Sequence, residues 1–135
     1  MTDAIKLAAK VLSNKAELGI KLKTAYDNGD KAELSRYANE VIPELVRDIR
    51  AFARLHAKRW RIDNKDFGFE TQDMRLGGLM LRLEHIAEMI NEYVDGECSE
   101  LRELMEERLP ETPGVDKNKP LTRFVWHTIV TKGRF

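Results

Sequence analysis

Residues 60–83, WRIDNKDFGFETQDMRLGGLMLRL, hold the turning point of this chain. A long helical pattern runs into them and stops in a polar loop that carries two aromatics, Phe67 and Phe69. A new helix then opens with Asp73, Arg75 and the pair Gly77-Gly78. Two adjacent glycines inside an apolar periodic run cost roughly 1 kcal/mol each relative to alanine. A chain accepts that cost where another backbone or a ligand comes very close. The pair is therefore expected at a close helix–helix or subunit contact.

Working outward, the rest reads as helical scaffold. A first helix is expected over about 3–26, with Leu7, Val11, Leu18, Leu22 and Ala25 as its stripe and Ile5, Ala8, Leu12, Ala16 and Ile20 widening it. Asn28-Gly29 ends it, and Asp30 with Glu33 three residues on has the form of a capping box. A second helix follows over about 31–61, facing in with Leu34, Ala38, Val41, Leu45, Ile49, Phe52 and His56, with Ile42, Val46, Ala53 and Trp60 alongside. Pro43 removes one backbone donor near its middle, so a kink or break belongs there. A third helix covers about 71–94, with Leu76, Leu79, Leu83, Ile86, Ile90 and Val94 facing in, and Asp95-Gly96 stops it. Ser99 is placed to cap a short fourth helix, SELRELMEERL, with Leu101, Leu104, Met105 and Leu109 on one face. The expected fold is all-α: one antiparallel bundle of three long helices plus a short fourth, filling about residues 1–110.

The tail, about 111–135, differs in kind. Residues 122–131, TRFVWHTIVT, are β-branched and aromatic and read as a strand. One strand is not stable alone. It has to pair with a partner chain, lie across the helices, or join a sheet outside these residues. The 135 residues make one domain with a real core, and the unmated strand points to a fragment of a larger protein.

Composition narrows the function. Lys plus Arg and Asp plus Glu are 23 each, so no basic excess supports nucleic-acid binding. No apolar run approaches the ~20 residues of a membrane span, and the charged, helix-periodic N-terminus is unlike a secretory signal. The lone Cys98 excludes an internal disulfide and fits a reducing compartment. A cytoplasmic location is the expectation.

Candidate chemistry is sparse. His56, His85 and His127 belong to three different elements, and Glu84, His85 and Glu88 form one cluster whose order is wrong for a carboxylate-bridged dimetal centre. No metal and no cofactor is expected. Asp66-Phe67-Gly68 spells a kinase triplet without the glycine-rich loop, strand lysine or catalytic loop that gives it meaning. Met74, Met80, Met89 and Met105 fit core gaps, and Glu100 to Arg108 reads as a solvated helix face. What remains is the corner. Trp60, Asn64, Glu70, Asp73 and Arg75 combine an aromatic platform with amide, carboxylate and guanidinium groups, which suits the apolar face and hydroxyl rim of a sugar, or an interface. The plainer account is a helix–loop–helix corner with Phe67 and Phe69 plugged into the core and Asp73–Arg75 as a structural ion pair.

The order W-x3-NK-x-FGFE-x-QD-x-RLGGL-x2-RLE, followed by INEYVDGE and LRELMEERL, resembles a segment after the catalytic barrel in some bacterial family 20 glycoside hydrolases. In those β-N-acetylhexosaminidase-type or exo-β-glucosaminidase-type enzymes the run lies in an all-helical C-terminal domain. The resemblance covers about residues 55–109. Lys65-Asp66-Phe67 stands where a Lys-Pro-aromatic is expected, which leaves the loop less rigid. The resemblance implies a parent enzyme that cleaves terminal β-linked amino sugars with the substrate's acetamido group as nucleophile, served by an adjacent Asp-Glu pair in the barrel. This chain contains no Asp-Glu dipeptide, so no catalytic residue is assigned to it. It implies a non-catalytic accessory domain, partnered by the upstream barrel and by a second copy in a homodimer, with amino sugar bound only in the intact enzyme. A stand-alone helical protein-interaction module is the alternative, and a small helical enzyme or sensor a third reading.

Overall fold

A computed structural model describes residues 3–106. Among them every regular element is helical, as the 3.6-residue periodicity predicts, and no strand occurs. The expected strand at 122–131 and the extended tail lie outside the described residues, as does Leu109. No helix among the described residues is long and apolar enough to cross a membrane.

The first helical stretch is two helices, α1 (Asp3–Ala16) and α2 (Leu18–Asp27), where one was expected. The interruption at Glu17 falls among Ser13, Asn14 and Gly19, all weak helix formers. Leu18, Leu22 and Ala25 are buried on α2 and Val11 on α1. The widening stripe is corrected: Ile5, Leu12 and Ile20 are each more than half exposed. Helix periodicity marks every apolar face, but only the face that meets a neighbour is buried.

Gly29 takes φ +65 at the turn, and the Asp30 carboxylate accepts from the Glu33 N–H at 2.9 Å, capping α3 (Lys31–Arg36). The reciprocal half of the capping box is not made. The Glu33 side chain turns instead to Arg36, whose guanidinium holds the Glu33 carboxyl below its ordinary range.

No break occurs at Pro43, and the helix runs on through it. A π-helical turn, Tyr37–Val41, precedes it, and the Ile42 N–H reaches back five residues to the Tyr37 carbonyl. The widened turn lets the chain pass the donor that proline lacks and enter α4 (Ile42–Asp63) with Pro43 in its first turn, where no N–H is required.

After a six-residue connection, α5 (Glu70–Asp95) runs back along α4. Arg50 pairs with Glu84, and Asn39 and Asn91 exchange amide hydrogen bonds at 3.0 and 3.2 Å, a pairing that fixes the two as antiparallel. Helix α1 is also antiparallel to α4, clipped by Lys10 to Asp48 at 2.8 Å and to Glu44 at 3.0 Å. Gly96 at φ +83 closes α5, as expected of that glycine. Lys31 adds its ammonium to the last carbonyls of α5, Tyr93 and Val94, while lying over the Tyr93 ring.

The Ser99 cap is corrected. Helix α6 (Arg102–Met105) starts from Leu101 without a side-chain cap, and the Leu101 N–H is taken by the Tyr26 hydroxyl at 3.3 Å. Burying Leu101 in the core pulls the start of the helix past Ser99.

Candidate functional site

Helix α4 stops because Asn64 leaves the helical conformation, at φ −134 and ψ 161, while its N–H still donates to the Trp60 carbonyl at 2.8 Å. The indole N–H of Trp60 then donates to the Lys65 carbonyl at 2.7 Å, binding the loop to the helix that precedes it. Gly68 sits at φ +93, a backbone conformation that strains any side chain. Its N–H donates to the Glu70 carboxylate at 2.8 Å, which ties the loop to the first residue of α5 and places negative charge at that helix's N-terminus. Trp60 and Glu70, two of the predicted residues, are thus brought together as the two anchors of one loop.

Behind the loop lies an aromatic cluster. The His56 ring stacks on Phe52 at 5.6 Å with 5° between planes, and meets Phe69 at 5.5 Å and Trp60 at 6.2 Å. Trp60 and Phe69 complete it at 5.5 Å. His56 is therefore the centre of the corner, a place that reading it as one member of a core stripe did not reveal. The signal was present as Phe52, His56 and Trp60 at steps of four, which share a helix face.

The other predicted residues lie at the loop's start and on α5. Asn64 is exposed at the loop's start. Asp73 and Arg75 are exposed on α5, and two positions apart on a helix they point to different sides. Phe67 is corrected: at 89% exposure it stands out from the loop, while Phe69 alone turns inward. Trp60's polar edge is spent on Lys65 and its ring packs on Phe69 and His56, so Phe67 is the exposed aromatic of the corner.

Gly77 is half-buried and Gly78 exposed, and an added methyl at either would meet nothing within 4 Å. No neighbouring helix of the described residues approaches them, because the helix that packs on α5 is covered by Leu76, Leu79 and Leu83 instead. The close-contact expectation keeps only its intermolecular half.

Two further features share this end of the molecule. The side chains of Arg59 and Arg61 pair with Asp63 and Asp66 around the loop. Between the start of α1 and the last turns of α4 runs an open groove floored by Ala4, Ala8, Phe52 and Leu55, with Ile5 and Ile62 on its lips. Among the described residues no three His, Cys, Asp or Glu side chains are placed to hold one metal ion. This end presents a fixed loop, an outward phenylalanine and a groove with an apolar floor.

Known proteins give this end a context. The family described as the Glycoside Hydrolase 20C C-terminal domain matches residues 3–123, which takes in every described helix. No curated protein matches the chain. The match spans the corner, both sides of the groove and the glycine pair, and the chain belongs to the Glycoside Hydrolase 20C C-terminal domain family.

Proposed function

We propose that this chain is the accessory helical domain of a family 20 glycoside hydrolase whose barrel cleaves terminal β-linked amino sugars, and that it contributes no catalytic residue of its own. The observation that carries this reading is the family match over residues 3–123. The missing Asp-Glu pair supports the non-catalytic part, since that chemistry needs one group to protonate the leaving oxygen and one to orient the acetamido group. The domain steadies the barrel, and its corner, with Trp60, Asn64, Glu70, Asp73 and Arg75, completes the sugar site or the interface of a homodimer. The enzyme works in the cytoplasm. Gly77 and Gly78 serve as a close-approach surface for a neighbouring chain.

The exposed Phe67 and Ile62 also favour a second reading, a helical interaction module that acts without a barrel. Assay and deletion separate the two. Purified alone, the chain is expected not to hydrolyse an aryl N-acetyl-β-glucosaminide or an aryl β-glucosaminide. Deleting it from the parent enzyme is expected to lower the barrel's melting temperature or its kcat/KM. A barrel indifferent to the deletion sinks the accessory reading, and turnover by the purified chain that survives repurification sinks the non-catalytic one.

A further inference from the structure

The groove between α1 and α4 combines three properties that rarely coincide on a surface left to water. Its floor is apolar: Ala4, Ala8, Phe52 and Leu55 are half-buried there, and Ile5 and Ile62 stand on its lips at 56% and 72% exposure. A contiguous apolar patch of this kind marks a contact site more often than an isolated exposed residue does. Its rim is basic. Lys58 and Arg59 line it, and helix α4 carries no carboxylate from Arg50 to Arg61. Neither Arg54 nor Lys58 forms an ion pair with any described residue. The third property is position: Asp3, at the start of α1, lines the groove itself.

The geometry points to this groove as the seat of the catalytic domain, an inference that rests on the accessory-domain reading above. The family is by description a C-terminal domain, so the polypeptide ahead of it enters through the start of α1. A domain tethered there is held at high effective concentration against Ala4, Ile5 and Ile62, and docking needs little added affinity. Interfaces between domains of one chain are modest in area and mixed in polarity, which an apolar trough with a cationic rim suits. The complementary surface on the catalytic domain is an apolar ridge bordered by carboxylates, one of which would pair Lys58 on docking.

The test uses the full-length glycoside hydrolase that carries this domain, with the double substitution Ile5→Glu and Ile62→Glu. Both side chains are exposed here, so the helical content and melting temperature of the 135-residue chain alone should not change. In the full-length enzyme the pair should free the domain, giving a larger radius of gyration by small-angle scattering and several-fold faster proteolysis at the junction ahead of Asp3. Ile20→Glu, equally exposed on α2, should leave both unchanged. The inference is overturned if the double variant stays as compact and as resistant as the wild type, or if Ile20→Glu is the substitution that loosens it. It is also overturned if the chain alone is a dimer that the double substitution dissolves, or if removing residues 107–135 is what uncovers the groove to hydrogen exchange. In each case the deletion experiment on the barrel can still succeed, so the seat can fail while the accessory reading stands.

Discussion

The two ends of this molecule are built on opposite terms. At one end α2, α3, the π turn, the first half of α4, the second half of α5 and the start of α6 bury Leu18, Leu22, Leu34, Ile42, Leu45, Ile49, Ile90 and Leu101. At the other, no residue between Ile49 and Leu83 is fully buried, and Phe52, Leu55, Trp60, Phe69, Leu76 and Leu79 there are only partly so. The first end is stabilised by apolar area removed from water. The second is held by local devices: an indole N–H on a carbonyl, a carboxylate on a glycine N–H, and four rings in mutual contact. Local bonds fix a shape without consuming the apolar surface, and that leaves the surface free to be used.

The contrast breaks most readily at Ile49 and Ile62. Ile49→Ala, at a fully buried position, should cost ~2–5 kcal/mol in urea unfolding of the isolated chain. Ile62→Ala should stay within about 0.5 kcal/mol. Equal losses at the two sites would erase the distinction between the ends.

A smaller loss is expected at the corner. Trp60→Ala removes the hydrogen bond to Lys65 and two ring contacts from a half-buried site, and about 2 kcal/mol is the expected cost. Hydrogen exchange should rise across the connection between α4 and α5 while Leu34 and Ile42 keep their protection. Uniform loss of protection would mean that the ends do not unfold separately.

The glycines sharpen the comparison with the opposite sign. With open space around both, Gly77→Ala and Gly78→Ala should each stabilise the isolated chain by ~1 kcal/mol through helix propensity. If the full-length enzyme shows the same gain, nothing approaches them there either. A gain that turns into a loss locates a neighbouring backbone against α5.

The least effect concerns pH and the clip between α1 and α4. The carboxylates of Asp48 and then Glu44 hold the Lys10 ammonium above the ordinary lysine value. A raised folded pKa contributes stability that is complete below the unfolded value and is lost as pH climbs through the folded one. The urea midpoint should therefore fall slightly as pH rises above the ordinary lysine value of about 10.4, and less so in Lys10→Met. Identical slopes would show that the clip is fully screened.

Much of this was legible beforehand, for identifiable reasons. The all-α class follows from apolar steps of three and four, and the stops at Gly29 and Gly96 follow from backbone conformations that glycine adopts freely. The order of residues from Trp60 to Gly78 was enough to indicate the family. Burial was harder to read. Ile5, Leu12 and Ile20 repeat with a helical period as regular as that of the buried stripe, and period alone does not say which face finds a neighbour. Phe67 and Phe69 are chemically the same and two residues apart, yet the positive φ of Gly68 between them turns only one ring inward. The Ser99 cap failed because a long-range contact, Tyr26 to Leu101, outweighed a local preference. The site residues were chosen for chemistry, whereas the corner is organised by His56, whose role depends on rings from two helices.

The π turn has a consequence for how this domain is aimed. Each residue of an α-helix advances about 100° around the axis. The extra residue accommodated between Tyr37 and Ile42 therefore acts as a phase shifter, setting the angle at which everything beyond Pro43 leaves the closed end. Phe52, His56, Trp60 and the groove wall ride on that angle together. A one-residue deletion between Tyr37 and Val41 that restored α-helical winding would leave each of those side chains chemically intact and swing them as a set by roughly a quarter turn. The orientation of the corner and the groove wall is thus stored in a single turn of backbone far from both.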